Sequence, residues 1–138
     1  HSEQVLALIT KRGRYLEPLP SPGYGAELAR HIRKAEPHRM LDSFLVAGLI
    51  EARSHERMAL LAEHSPDQEL RALYSDLLAS EARHFGLYWT LADSRWPRSV
   101  VQSRLDALAA EEANALRGEL ASLDDVRMHS CGVVHAEA

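Results

Sequence analysis

The chain has 138 residues, 46% of them hydrophobic and 26% charged, with a net charge of −4 and a single cysteine, Cys131. This is the composition of one ordinary soluble globular domain. It holds no apolar run near the roughly 20 residues of a membrane span, cannot close an internal disulfide, and lacks the strong positive balance of a dedicated nucleic-acid binder; a reducing, cytoplasmic setting fits the lone thiol.

Residues 1 to about 12 read as the tail of a helix carrying Val5, Leu6, Leu8 and Ile9, closed by Lys11, Arg12 and Gly13. The segment opens without a cap or a methionine, so a helix that starts upstream, and a chain that is the C-terminal part of a longer one, are expected. Pro18, Pro20, Pro22, Gly23 and Gly25 make 14–25 a loop. A short helix is predicted over about 26–35, ending before Pro37. A long helix follows over about 38–64, with Leu41, Phe44, Leu45, Gly48, Leu49, Ala52, Ala59 and Leu60 as its apolar stripe. Pro66 breaks the chain and Asp67 is placed to cap a second long helix over about 68–93, whose stripe is Leu70, Leu73, Tyr74, Leu77, Leu78, Phe85 and Tyr88. Trp96-Pro97 breaks it again, and a last helix spans about 98–121. The tail from Asp124 has no period. Strand patterns are absent, so the class is all-α and 1–138 is a single helical domain.

Two charged positions interrupt the apolar stripes. Glu81 and His84 fall at 77, 81, 84, 88, and Glu51 falls at 44, 48, 51, 55. Residues three or four apart share a helix face, and a charge on a core face is costly unless it is paired or binds a metal. Glu51 and Glu81 are separated so that an antiparallel hairpin turning at His64-Ser65-Pro66-Asp67 brings them to similar depth. A Glu-x-x-His on one core-facing helix with a Glu from its neighbour is the arrangement of ferritin-like di-iron proteins. The same spacing also suits a metal-free hairpin in which the two carboxylates pair with Arg53, Arg57 or Arg83. His55, one turn after Glu51, reads as a histidine at the edge of the core, and Glu56 as an ion-pair partner of Arg53 or Arg57. Trp96 reads as a packing plug. Cys131 has no zinc-type spacing around it, and the clusters Lys11, Arg12, Arg14 and Arg30, Arg33, Lys34, Arg39 read as solvated helix ends.

The stretches Leu45-Val46-Ala47-Gly48-Leu49-Ile50-Glu51-Ala52-Arg53-Ser54-x-Glu56-Arg57 and Leu77-Leu78-Ala79-Ser80-Glu81-Ala82-Arg83-His84 resemble the tRNA-(ms2io6A)-hydroxylase family. The opening His1-Ser2-Glu3-Gln4-Val5-Leu6 and Arg127-Met128-His129-Ser130 resemble that family's corresponding segments. The resemblance implies a ferritin-like four-helix bundle, here N-terminally incomplete. It also implies a non-haem di-iron monooxygenase that uses dioxygen and an external electron donor to hydroxylate the isopentenyl group of the modified adenosine beside the tRNA anticodon. Carried over by position, Glu51 is the single carboxylate of the third bundle helix, Glu81 and His84 the Glu-x-x-His of the fourth, and His1 the histidine of the second. The carboxylate paired with His1 and the one on the first helix have no counterpart in the sequence. The implied ligands to two iron ions are thus His1, Glu51, Glu81 and His84. The implied partner is the tRNA anticodon stem-loop, whose phosphates the basic residues would position; His129 reads either as a tail residue or as one that closes over the site, as the family's C-terminal segment is placed to do. Two other readings stand beside this one: a ferritin-like or rubrerythrin-like iron or peroxide protein, and an inactive helical fragment.

Overall fold

The computed structural model describes residues 2–16, 18, 23–82 and 86–122, with side chains as far as 118. Six helices follow one another: α1 (Ser2–Lys11), α2 (Gly23–Arg30), α3 (His38–His64), α4 (Gln68–Glu81), α5 (Leu87–Arg95) and α6 (Arg98–Ser122). No strand occurs among the described residues, and the all-α, ferritin-like class expected from the sequence is borne out.

The helix ends are set by the residues that the sequence marks. At the end of α1, Gly13 takes φ 66°. Its N–H donates to Thr10 O at 2.9 Å and the Arg14 N–H donates to Ile9 O at 3.1 Å, the paired bonds of a Schellman motif, which only a residue at ease with positive φ closes cheaply. At the start of α4, Asp67 Oδ1 accepts the N–H groups of Glu69 and Leu70 at 2.9 and 3.2 Å, satisfying two donors that a helix start leaves open. The Leu70 N–H, together with Arg12, holds the Asp67 carboxyl below its usual range. Arg12 reaches Asp67 at 2.5 Å and Lys11 pairs with Glu69, so the end of α1 is tied to the start of α4 by charge; α1 itself buries no residue.

The core lies between α2, the first half of α3, α5 and α6. Tyr24 and Leu28, Leu41, Leu45 and Val46, Ala92, and Val101, Leu108, Ala115 and Leu116 are its buried members. Trp96 caps one end, with its ring edge-on to Phe44 at 6.2 Å between centroids. The α3–α4 hairpin extends from this core. In α4 the predicted stripe has the expected phase, with Leu70, Leu73, Tyr74, Leu77 and Leu78 half-buried and Ala72, Ser75, Asp76 and Ala79 exposed. None of its residues is fully buried.

Two predicted spans are corrected. The single helix over 68–93 is divided: α4 ends at Glu81, Gly86 adopts φ 88°, and α5 starts at Leu87. A residue in the left-handed region cannot continue a right-handed helix, and glycine enters it without the Cβ clash. The redirected α5 packs on α3, where Gly48 receives the Trp89 ring. The predicted 26–35 helix is Gly23–Arg30, because the Arg33 N–H is taken by the Asp42 carboxylate at 2.9 Å and is no longer available to a helical carbonyl.

Candidate functional site

Glu51 precedes the end of α3 by as many residues as Glu81 follows the start of α4. At 1.5 Å per residue both lie about 20 Å from the turn, and the hairpin brings them to one cavity of about 290 Å³ lined by Ile50, Glu51, Ser54, His55, Met58 and Glu81. The register argument for the two carboxylates is met. Their surroundings differ from the expectation of a sealed core: both are half-buried. His55 faces the same cavity. His1, His84, Arg83, His129 and Cys131 lie outside the described residues. Among the described residues, no three His, Cys, Asp or Glu side chains gather closely enough to hold a metal ion.

Of the arginines able to neutralise these carboxylates, Arg53 is committed elsewhere. It donates from Nε and Nη2 to Glu112 at 2.8 and 3.1 Å and from Nη1 to Glu56 at 3.0 Å. Hydrogen bonding to Glu112 pushes the Arg53 pKa up against the opposing effect of burial. The Glu56–Arg53 pair read from the sequence is present. Glu112 also accepts the Tyr24 hydroxyl at 2.7 Å, so α2, α3 and α6 meet at one buried carboxylate, 2% exposed. Arg57 donates to Ser54 Oγ at 3.2 Å.

The fully buried acids of the described structure are therefore Asp42 and Glu112, not Glu51 and Glu81. Burial alone would raise the Asp42 pKa; hydrogen bonds from Arg33 and Arg104 outweigh it and hold the carboxyl far below its usual range. Sequence reasoning passed over both, although the signal that marked Glu51 was there for them. Asp42 adjoins Leu41 and precedes Leu45 by three, and Glu112 falls four after Leu108 and three before Ala115. The basic residues read as solvated helix ends divide likewise. Lys11, Arg12, Arg30 and Arg39 pair with surface carboxylates, whereas Arg33 belongs to the buried Asp42 cluster.

The sequence profile of the tRNA-(ms2io6A)-hydroxylase (MiaE) family matches residues 1–130. The chain belongs to this family. The tRNA 2-(methylsulfanyl)-N(6)-isopentenyladenosine(37) hydroxylase of Pseudomonas putida is 36% identical over 130 residues, covering 94% of this chain and 62% of that protein. The enzyme of the same name from Salmonella typhimurium is 35% identical over 92 residues, covering 67% of this chain and 34% of that one. The chain thus spans less than two thirds of the length of these relatives. A solved structure described as protein 43 with aldehyde deformylating oxygenase activity, from Synechococcus, superposes with a TM-score of 0.85 and 74% identity, over 98% of this chain and 67% of that one.

Proposed function

We propose that this chain serves an oxygen-dependent hydroxylation of the isopentenyl group on the modified adenosine next to the tRNA anticodon, at a non-haem di-iron centre held in part by Glu51 and Glu81. The observation that carries this reading is the placement of these two carboxylates, from facing helices, at one level of one cavity. Hard oxygen donors with imidazole suit iron, and the family resemblance adds His84 and His1 as the imidazoles. A bound di-iron centre supplies the activation of dioxygen, with electrons from an external donor. Glu51 and Glu81 would hold the metal from facing helices, while Ile50 and Met58 present an apolar wall beside them that limits water. The Arg53–Glu112 bond fixes the helix that carries Glu51 against α6. Among the described residues no helix is long and apolar enough to cross a membrane, and a tRNA substrate places the reaction in the cytoplasm.

The test is anaerobic loading with Fe(II), followed by dioxygen, a reductant and tRNA bearing the isopentenylated nucleoside. About two irons per chain, lost on Glu81→Ala with the helical circular dichroism retained, and a nucleoside heavier by one oxygen atom are expected. Equal iron content in wild type and Glu81→Ala refutes the site. A second reading is favoured by the 74% identity to the Synechococcus protein: an oxygenase that removes the formyl carbon of an aldehyde. The same loaded protein given an aldehyde in place of tRNA separates the two, since one reading predicts an oxidised nucleoside and the other a product one carbon shorter.

A further inference from the structure

A second concavity, of about 460 Å³, opens where the α2–α3 connection meets the first turns of α6. Its polar wall consists of Arg33, His38, Ser99, Ser103 and Arg104, and no carboxylate lines it. Behind the wall sits the wholly buried Asp42. Its two oxygens accept Arg33 Nε and Nη2 at 3.0 and 2.8 Å, and Arg104 Nε and Nη2 at 2.8 Å each. Arg104 Nη2 is also held by the His31 carbonyl at 2.8 Å. Both guanidinium groups thus present the Nε–Nη2 edge inward, and the Nη1 donors of each have no partner among the described residues. The two side chains keep 40% and 24% of their surface exposed.

One arginine suffices to neutralise one buried carboxylate. The second leaves a net positive charge at a point where both cations are already immobilised, so a ligand there orders no long side chain on binding. Fixed guanidinium donors flanked by hydroxyls and an imidazole match the tetrahedral oxygens of phosphate, and arginine is suited to this because its planar fork stays charged.

We propose that this concavity binds a phosphate group. The source rests on the tRNA reading above, which supplies a backbone phosphodiester. His38 opens α3 thirteen residues before Glu51, about 20 Å along the helix, so RNA held here would lie alongside the nucleotide presented at the Glu51–Glu81 cavity. Free phosphate is the other source of the same chemistry.

The experiment measures binding of a labelled anticodon stem-loop RNA to the full chain at several salt concentrations, with Ser99→Glu/Ser103→Glu set against Ser99→Gln/Ser103→Gln. Both serines are exposed and neither contacts Asp42. A carboxylate at Ser99 sits in the first turn of α6, where the helix dipole favours it, so the fold is retained; Ser99→Glu alone serves if the double variant unfolds early. The Glu pair should weaken RNA binding at least tenfold relative to the uncharged Gln pair, which loses the same two hydroxyls, and flatten its salt dependence by about one phosphate contact. Equal affinity and salt slope in all three proteins overturns the pocket and leaves the tRNA reading standing. If wild type binds no RNA even at low salt, the tRNA reading fails, and inorganic phosphate decides the pocket by phosphorus NMR. Line broadening abolished by the Glu pair upholds an anion site for free phosphate; no broadening overturns it.

Discussion

Replacing Gly48 with alanine sets helix propensity against packing, and the two predict opposite signs. Gly48 lies in the interior of α3, where alanine in place of glycine is worth about 1 kcal/mol of stabilisation by propensity alone. A Cβ built on Gly48 would stand 2.7, 2.8 and 2.9 Å from three carbons of the Trp89 ring. That is well inside van der Waals contact, and the obstacle is a rigid ring packed against the core. Forcing a methyl group into such a space costs about 1–3 kcal/mol. The net expectation is a destabilisation of about 1 kcal/mol, and a melting temperature lower by about 3 °C for a chain of this size. Thermal and urea unfolding followed by circular dichroism measure it. In a Trp89→Leu background the ring is absent and the same substitution should stabilise, giving a coupling of about 2 kcal/mol in the double-mutant cycle. A Gly48→Ala protein that melts higher than wild type refutes the claim that the Trp89 contact, and not backbone freedom, requires glycine here.

Other substitutions probe the buried charges and the helix break. Asp42→Asn leaves two guanidinium groups facing a neutral amide and should cost about 3 kcal/mol at pH 7, at the low end for a broken buried pair because both arginines retain access to water. The Asp42 pKa is depressed in the folded state, so its stabilisation is fully present above the unfolded value of about 3.9 and is lost as pH falls below it; the gap between wild type and Asp42→Asn should therefore narrow in acid, and a gap independent of pH counts against the assignment. Glu112→Gln weakens the bonds to Arg53 and Tyr24 and should cost about 2 kcal/mol in urea unfolding; a loss below about 0.5 kcal/mol would show that the cluster is not a structural junction. Gly86→Ala meets no neighbour within 4 Å among the described residues but must adopt φ 88°, so a loss of about 1 kcal/mol from strain alone is expected, and a gain would mean that the α4–α5 break is not anchored by this residue.

The class, the extent of α3 and α6, the cap at Asp67, the turn at Gly13 and the common depth of Glu51 and Glu81 could all be read from the amino-acid order. Each depends on local chemistry: the period of apolar residues, a side chain able to accept its own helix's first N–H groups, or a residue able to take positive φ. The hairpin register follows from counting residues to a proline-marked turn, which needs no knowledge of the rest of the molecule.

The tertiary structure decided which charges are buried and which residues they engage. Asp42, Glu112, Glu51 and Glu81 all occupy stripe positions, and nothing in periodicity distinguishes a stripe covered by two other helices from one that borders a cavity. The first pair sits where α2, α3 and α6 pack together: Asp42 of α3 is matched by Arg33 of the α2–α3 connection and Arg104 of α6, and Glu112 of α6 by Arg53 of α3 and Tyr24 of α2. The second pair lies on the extended part of the hairpin and lines open volume. The Asp42 cluster joins residues 33, 42 and 104, and Gly86 breaks a run whose apolar pattern continues through it. Burial depends on what packs against a surface from elsewhere in the chain, and periodicity along one helix carries no record of that.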